Sequence, residues 1–173
     1  EIMSDTIINK VANSGLVSFD LEDHYPKGER VVYDLKDNLF QELILKEKDF
    51  RQFLKDHDWE QYRNKNIAIT CSVDAVVPTW AYMLLAVKLE EIANAFVFGD
   101  LESLEVYLFT QVLDSVDFSA FQDEKVVIKG CSKYTIPTTI YIELTNRMKP
   151  FVKSLMFGEP CSTVPLYKKR IVR

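Results

Sequence analysis

Three residues of this sequence carry thiol and soft-metal chemistry, and all three recur in one local string. Cys71-Ser72, Cys131-Ser132 and Cys161-Ser162 are each followed by a proline, at Pro78, Pro137 and Pro165. A thiolate is at once a nucleophile, a redox group and a soft metal ligand. Three thiolates with a fourth position left to a carboxylate, water or substrate make a coordination set for an iron–sulfur cluster, and zinc accepts the same set in a tetrahedron. One activated cysteine with a second as its resolving partner would instead give a thiol redox or transfer enzyme. The spacing has no Cys-x-x-Cys pair of the zinc-ribbon or ferredoxin kind, so a site here rests on where the fold puts the thiols. Cysteine is also among the most buried residue types, and a non-catalytic interaction protein with three core thiols is the remaining alternative.

The elements that must position these residues are visible as a repeat. Phe50 matches Phe109, an offset of 59 positions (109 − 50 = 59), and the register holds over about sixty residues. At that offset Asp58-Trp59 meets Asp117-Phe118, Tyr62 meets Phe121, Pro78-Thr79 meets Pro137-Thr138, and Phe98-Gly99-Asp100 meets Phe157-Gly158-Glu159. We expect an internal βαβα duplication over 50–107 and 109–166. The apolar runs 67–70 and 126–128 read as buried strands, and 78–93 and 137–152 as helices opened by proline. Strands follow at 95–98 and 155–157, each closed by glycine, with a helix at 103–116. Upstream, 30–35 reads as a strand and 46–56 as a helix. Strands alternating with helices at this spacing imply parallel βαβ units. The expected fold is a single α/β domain over 1–173, with a mainly parallel sheet and helices on both faces. Residues 1–28 read as an N-terminal extension with a short helix at 7–16 and an edge strand at 17–21, and 166–173 as a basic tail laid over the body.

In this reading each cysteine lies just past the carboxyl end of a strand, the edge where open parallel sheets bind ligands. The repeat also aligns Cys161-Ser162 with Glu102-Ser103. The candidate metal ligands are therefore Cys71, Cys131, Cys161 and Glu102. Ser72, Ser132 and Ser162 would supply backbone or hydroxyl donors to the sulfurs, with Asp100 and Glu159 as acidic neighbours. An iron–sulfur cluster is the expected centre and zinc the alternative.

Other candidates are weaker. Of the two histidines, His24 precedes a Tyr-Pro turn, and His57 reads as a surface residue at the exit of a polar helix. Asp74, Asp100 and Glu102 are loop carboxylates of the kind that water usually solvates. Trp59 and Tyr62 read as core, and Trp80 as a residue near the cysteine edge. Five glycines admit neither a Gly-x-Gly-x-x-Gly fingerprint nor a Walker loop.

Composition sets the outer bounds. The 173 residues are 47% hydrophobic and 12% aromatic, enough for a packed core, and their net charge is −5. That balance argues against nucleic acid as a partner. No apolar run reaches the ~18 residues of a membrane span. No export signal is visible at residues 1–5, so a cytoplasmic protein without disulfides is expected.

Three stretches add a resemblance. Leu45-Lys46-Glu47-Lys48-Asp49-Phe50-Arg51, Cys71-Ser72 with Val77-Pro78-Thr79-Trp80-Ala81-Tyr82, and Phe157-Gly158-Glu159-Pro160-Cys161-Ser162-Thr163-Val164-Pro165 are similar to the bacterial DUF2480 family, a domain of unknown function. The likeness runs from about Ile7 to Lys169. It implies no activity, substrate or catalytic residue. It does imply an association with iron–sulfur metabolism, and hence a protein partner there.

Overall fold

The computed structural model describes residues 9–10, 15–130 and 132–172. In chain order the elements are β1 (Asn9–Lys10), β2 (Leu16–Asp20), β3 (Arg30–Asp34), α1 (Glu47–Asp56), β4 (Asn66–Thr70), α2 (Thr79–Leu89), β5 (Ala95–Phe98), α3 (Leu101–Ser115), β6 (Lys125–Lys129), α4 (Thr138–Met148), β7 (Ser154–Glu159) and β8 (Ser162–Lys168). They form two compact units: a contiguous one, Lys27–Leu108, and a split one, Glu1–Pro26 with Phe109–Arg173.

The contiguous unit is a three-stranded parallel sheet in the order β3-β4-β5. Strand β4 is buried on both faces, as its apolar run requires. On one face Ile67 and Ile69 pack with Phe50 and Leu54 of α1 and Ala81, Leu85 and Leu89 of α2; on the other, Ala68 and Ala95 meet Leu104 and Leu108 of α3. Small side chains on that second face let the α3 backbone approach. The one fully buried polar side chain among the described residues, Asn66, is satisfied by the Lys27 carbonyl at 3.1 Å and the Asn94 amide at 2.7 Å. Arg30 holds Glu105 through two nitrogens, at 2.6 and 3.2 Å.

The split unit carries five strands in the order β1-β2-β6-β7-β8. β2, β6 and β7 run parallel, and β1 and β8 add antiparallel strands at the two ends.

Local chemistry recurs through the chain. Four 3-10 turns, Leu21–His24, Leu35–Asn38, Trp59–Tyr62 and Phe118–Phe121, each follow an aspartate whose carboxylate accepts the N–H two residues on. Equivalent elements also recur at the 59-residue offset: the turns at 59–62 and 118–121, β4 and β6, α2 and α4, and the starts of β5 and β7. Asn64 and Asp123 both take φ 59°, and Gly99 and Gly158 take φ 137° and 124°. The likeness ends past those glycines, where 101–115 is helix and 162–168 is strand.

The α/β class and parallel pairing expected from the sequence hold, with several differences. The strands divide between two sheets where one was expected. Residues 17–21 do not form an edge strand: β2 lies between β1 and β6. Residues 166–173 are not simply a tail, because Leu166, Tyr167 and Lys168 belong to β8. The partner of β2 lies more than a hundred residues away and leaves no local trace, whereas β8 folds back on β7 next to it and was masked by Pro165. Pro78 and Pro137 sit at the N-cap positions of α2 and α4, with extended ψ of 139° and 138°, and both helices stop earlier than expected, at Leu89 and Met148. The helix expected at 7–16 falls largely outside the described residues, but Asn9–Lys10 is strand.

Candidate functional site

Cys71 follows β4 directly, is half-buried, and its thiol donates to the Val73 carbonyl across 3.6 Å. The exposed Ser72 is tethered through its N–H to Asp34 Oδ1 at 3.1 Å. Burial opposes ionisation of Asp34, but the bonds from Ser72 and the Lys36 N–H outweigh it and hold the carboxyl below its usual range. Cys161 is exposed in the tight turn joining β7 to β8, and Ser162 opens β8. Cys131 lies outside the described residues, and its neighbour Ser132 is exposed. Glu102 is exposed in the first turn of α3, a setting unlike the hairpin turn of Cys161 with which it aligns. Cys71 and Glu102 belong to the contiguous unit and Cys161 to the split one. Among the described residues, no three His, Cys, Asp or Glu side chains are grouped to hold a metal ion.

The contiguous unit instead contains an aromatic recess that includes one of the histidines. Val32, Tyr33, Asp34, Asp37, Asn38, Phe53, His57 and Tyr62 line a concavity of about 200 Å³. It is built from the outer strand β3, the turn that follows it, the end of α1, and the turn at 59–62. Tyr33 donates to Asn38 Oδ1 at 2.6 Å. Tyr62 lies 2.8 Å from His57 Nε2, and Gln61 Nε2 approaches the same ring nitrogen at 3.3 Å while donating to the Asp58 carbonyl. With the Gln61 amide nitrogen facing it, Nε2 is the acceptor in the neutral tautomer that carries its proton on Nδ1, and the Tyr62 hydroxyl then donates to it.

The ionisation behaviour agrees with this bonding. Burial lowers the His57 pKa against the opposing pull of Asp58, and burial raises those of Tyr62 and Tyr33. Around the imidazole stand Phe53, Trp59, Tyr62 and Tyr33, with ring centroids 4.6, 4.9, 5.7 and 6.5 Å away. His57 is therefore half-buried in an aromatic nest, and the reading of it as a surface helix-end residue is corrected. Its position was obscure in sequence because the Asp56-His57-Asp58 context looks solvated.

The split unit has the apolar version of the same arrangement. Phe19 stands where β3 has Tyr33, and His24 where the turn has Asn38, each pair five residues apart. Phe19 and His24 stack at 4.7 Å and 8°, and Phe19 meets Phe121 edge-on at 5.8 Å. The hydroxyl-bearing Tyr33 and Tyr62 thus replace two phenylalanines in the contiguous unit alone. That substitution is the signal by which the recess could have been found.

A second concavity, of about 500 Å³, lies in the split unit between α4 and the β7–β8 hairpin, and Tyr141, Ile142, Phe157, Val164 and Leu166 line it. It offers apolar contact and few polar groups.

Taken together, these features define an α/β protein of two parallel-stranded units, one of which holds a small polar-tipped aromatic recess. No helix among the described residues is long and apolar enough to cross a membrane. The chain belongs to the DUF2480 family, described as a protein of unknown function, whose model matches residues 5–169. No curated protein and no solved structure matches it.

Proposed function

We propose that this protein binds a small organic cation, an ammonium or guanidinium group, in the recess of the contiguous unit. The observation that carries the reading is the composition of its lining. Aromatic rings line it, Asp34 and Asp37 add carboxylates, and burial lowers the pKa of His57, the only basic side chain in the lining. A volume of about 200 Å³ admits a head group or a side-chain tip, not a whole cofactor.

The test is titration with ethylammonium, guanidinium and tetramethylammonium, followed by NMR at the His57 and Tyr62 ring protons, with acetate and urea as controls. Saturable shifts with a cation, weakened by Asp37→Asn, support the reading. Shifts that are absent, or equal for cations and controls, overturn it.

A second reading keeps the thiols. β6 and β7 are neighbouring parallel strands, so the segments after them, bearing Cys131 and Cys161, leave the split unit's sheet at one edge. This supports a thiolate metal centre, an iron–sulfur cluster or zinc, in a protein that works beside a partner in iron–sulfur metabolism. Iron with acid-labile sulfide, or zinc, in protein purified without oxygen or chelator, and lost in Cys131→Ser and Cys161→Ser, is the expected result. Protein that takes up neither on reconstitution would end this reading.

A further inference from the structure

We infer that the outer edge of β5 is a dimer interface, at which β5 of a second copy of this chain pairs antiparallel about a twofold axis through Val97. β5 ends the sheet of the contiguous unit, and among the described residues no strand lies on its far side. Edge strands are usually blunted by a charge, a proline or a bulge. Ala95-Phe96-Val97-Phe98 has none of these.

The protein contains its own template for what covers such an edge. β7 stands 59 residues on, carries Phe157 where β5 carries Phe98, and is covered by the antiparallel strand β8, with Phe157 opposite Val164. Both phenylalanines meet a helix tyrosine edge-on, Tyr82 with Phe98 at 5.2 Å and Tyr141 with Phe157 at 5.8 Å. Their exposure differs: 69% for Phe98 against 37% for Phe157. Met83 and Val87 of α2, 63% and 70% exposed, lie on the helix face turned away from the buried Leu85 and are not part of this edge.

Backbone direction then fixes the register. The Gly99 N–H bonds Ile69 in β4, so by alternation Val97 also turns its polar groups inward and Phe96 and Phe98 turn theirs to the free edge. Only a register that pairs outward residues with outward residues satisfies both copies. Centring it on Val97 sets Phe96 opposite the second copy's Phe98, the kind of aromatic cross-strand pair that stabilises antiparallel sheets. It also sets Asp100 opposite Asn94, so no like charges meet. Residues 94–100 of one copy meet the same residues of the other, and the interface is self-complementary, as a twofold dimer requires.

Sedimentation equilibrium of the full chain tests this. A reversible dimer is expected, with the Phe96 and Phe98 amides protected from hydrogen exchange at high protein concentration and not at low. Val97→Lys and Phe98→Lys should each weaken association at least tenfold. Met83→Lys, on the face of α2 turned away from the sheet, should leave association unchanged, and circular dichroism should show all three variants folded. A wild-type chain that stays monomeric at every concentration, or a dimer indifferent to Val97→Lys and Phe98→Lys, overturns the inference.

Discussion

The hydroxyl of Tyr62 lies 2.8 Å from His57 Nε2; it donates while that nitrogen is unprotonated and accepts from the ring N–H once the imidazole is charged. Protonating His57 places a hydrogen on that nitrogen and sets it against the Gln61 amide nitrogen at 3.3 Å.

Stability should therefore fall in mild acid. Burial lowers the pKa of both His57 and His24 below the ordinary 6.5, so in the window just under 6.5 the unfolded chain binds more protons than the folded one. The contribution is fully present above that window and is lost as the pH drops through the folded-state values. The depressed carboxyls of Asp34, Asp100 and Asp123 act lower, below about 3.8, and separate cleanly. Denaturant midpoints between pH 7 and pH 5 should decline in the wild type and flatten in a His24→Asn, His57→Gln double variant. An unchanged slope would show that the imidazoles are not the titrating groups.

The two units permit a transplant. Tyr33→Phe should cost about 1 kcal/mol by removing the donor to Asn38. Adding Asn38→His rebuilds the Phe19–His24 stack of the split unit and should recover part of that loss. Chemical denaturation of both single variants and the double measures the coupling, and additive costs would argue against the equivalence.

Arg30 and Glu105 form a paired contact with side chains only 15% and 17% exposed. Glu105→Ala should destabilise by about 2–4 kcal/mol, because a largely buried guanidinium keeps the Gly28 carbonyl but loses its counter-charge. Arg30→Met with Glu105→Leu should be milder than either single change in thermal unfolding.

Gly99 is required twice over. Its φ of 137° excludes side chains, and a Cβ there would lie 2.6 Å from Ser103 at the start of α3. Gly99→Ala should cost at least about 1–3 kcal/mol in equilibrium unfolding. A neutral result would mean that the β5–α3 turn relaxes easily.

The thiols should differ in reactivity. Cys161 is exposed and Cys71 is half-buried with its hydrogen engaged, so alkylation followed by mass spectrometry should modify Cys161 first. The reverse order would point to an activating environment at Cys71.

What the sequence disclosed was what is local. The buried runs of β4 and β6, the helices after Pro78 and Pro137, and the glycines just after β5 and near the end of β7 follow from propensity and period within a dozen residues. The placement of β2 beside β6 depends on a partner more than a hundred residues away. β8 was hidden by Pro165 and by a run of exposed residues that reads as a tail. Among the candidate ligands, the offset that joined Glu102 to Cys161 crosses the point where helix and strand diverge, so it transfers no geometry. The recess was missed because its parts come from β3, α1 and two turns, and only their tertiary arrangement surrounds a charged-looking histidine with aromatic rings.

The order in which the split unit can be completed has a consequence for synthesis. Leu16–Asp20 emerges early, yet its parallel partner, Lys125–Lys129, is made only after the whole contiguous unit has been translated. The contiguous unit, Lys27–Leu108, can close its own core while the ribosome is still working. The β2 segment must meanwhile wait with Val17 and Phe19 uncovered, and in that interval a nascent chain of this protein is most exposed to chaperones and to neighbouring chains.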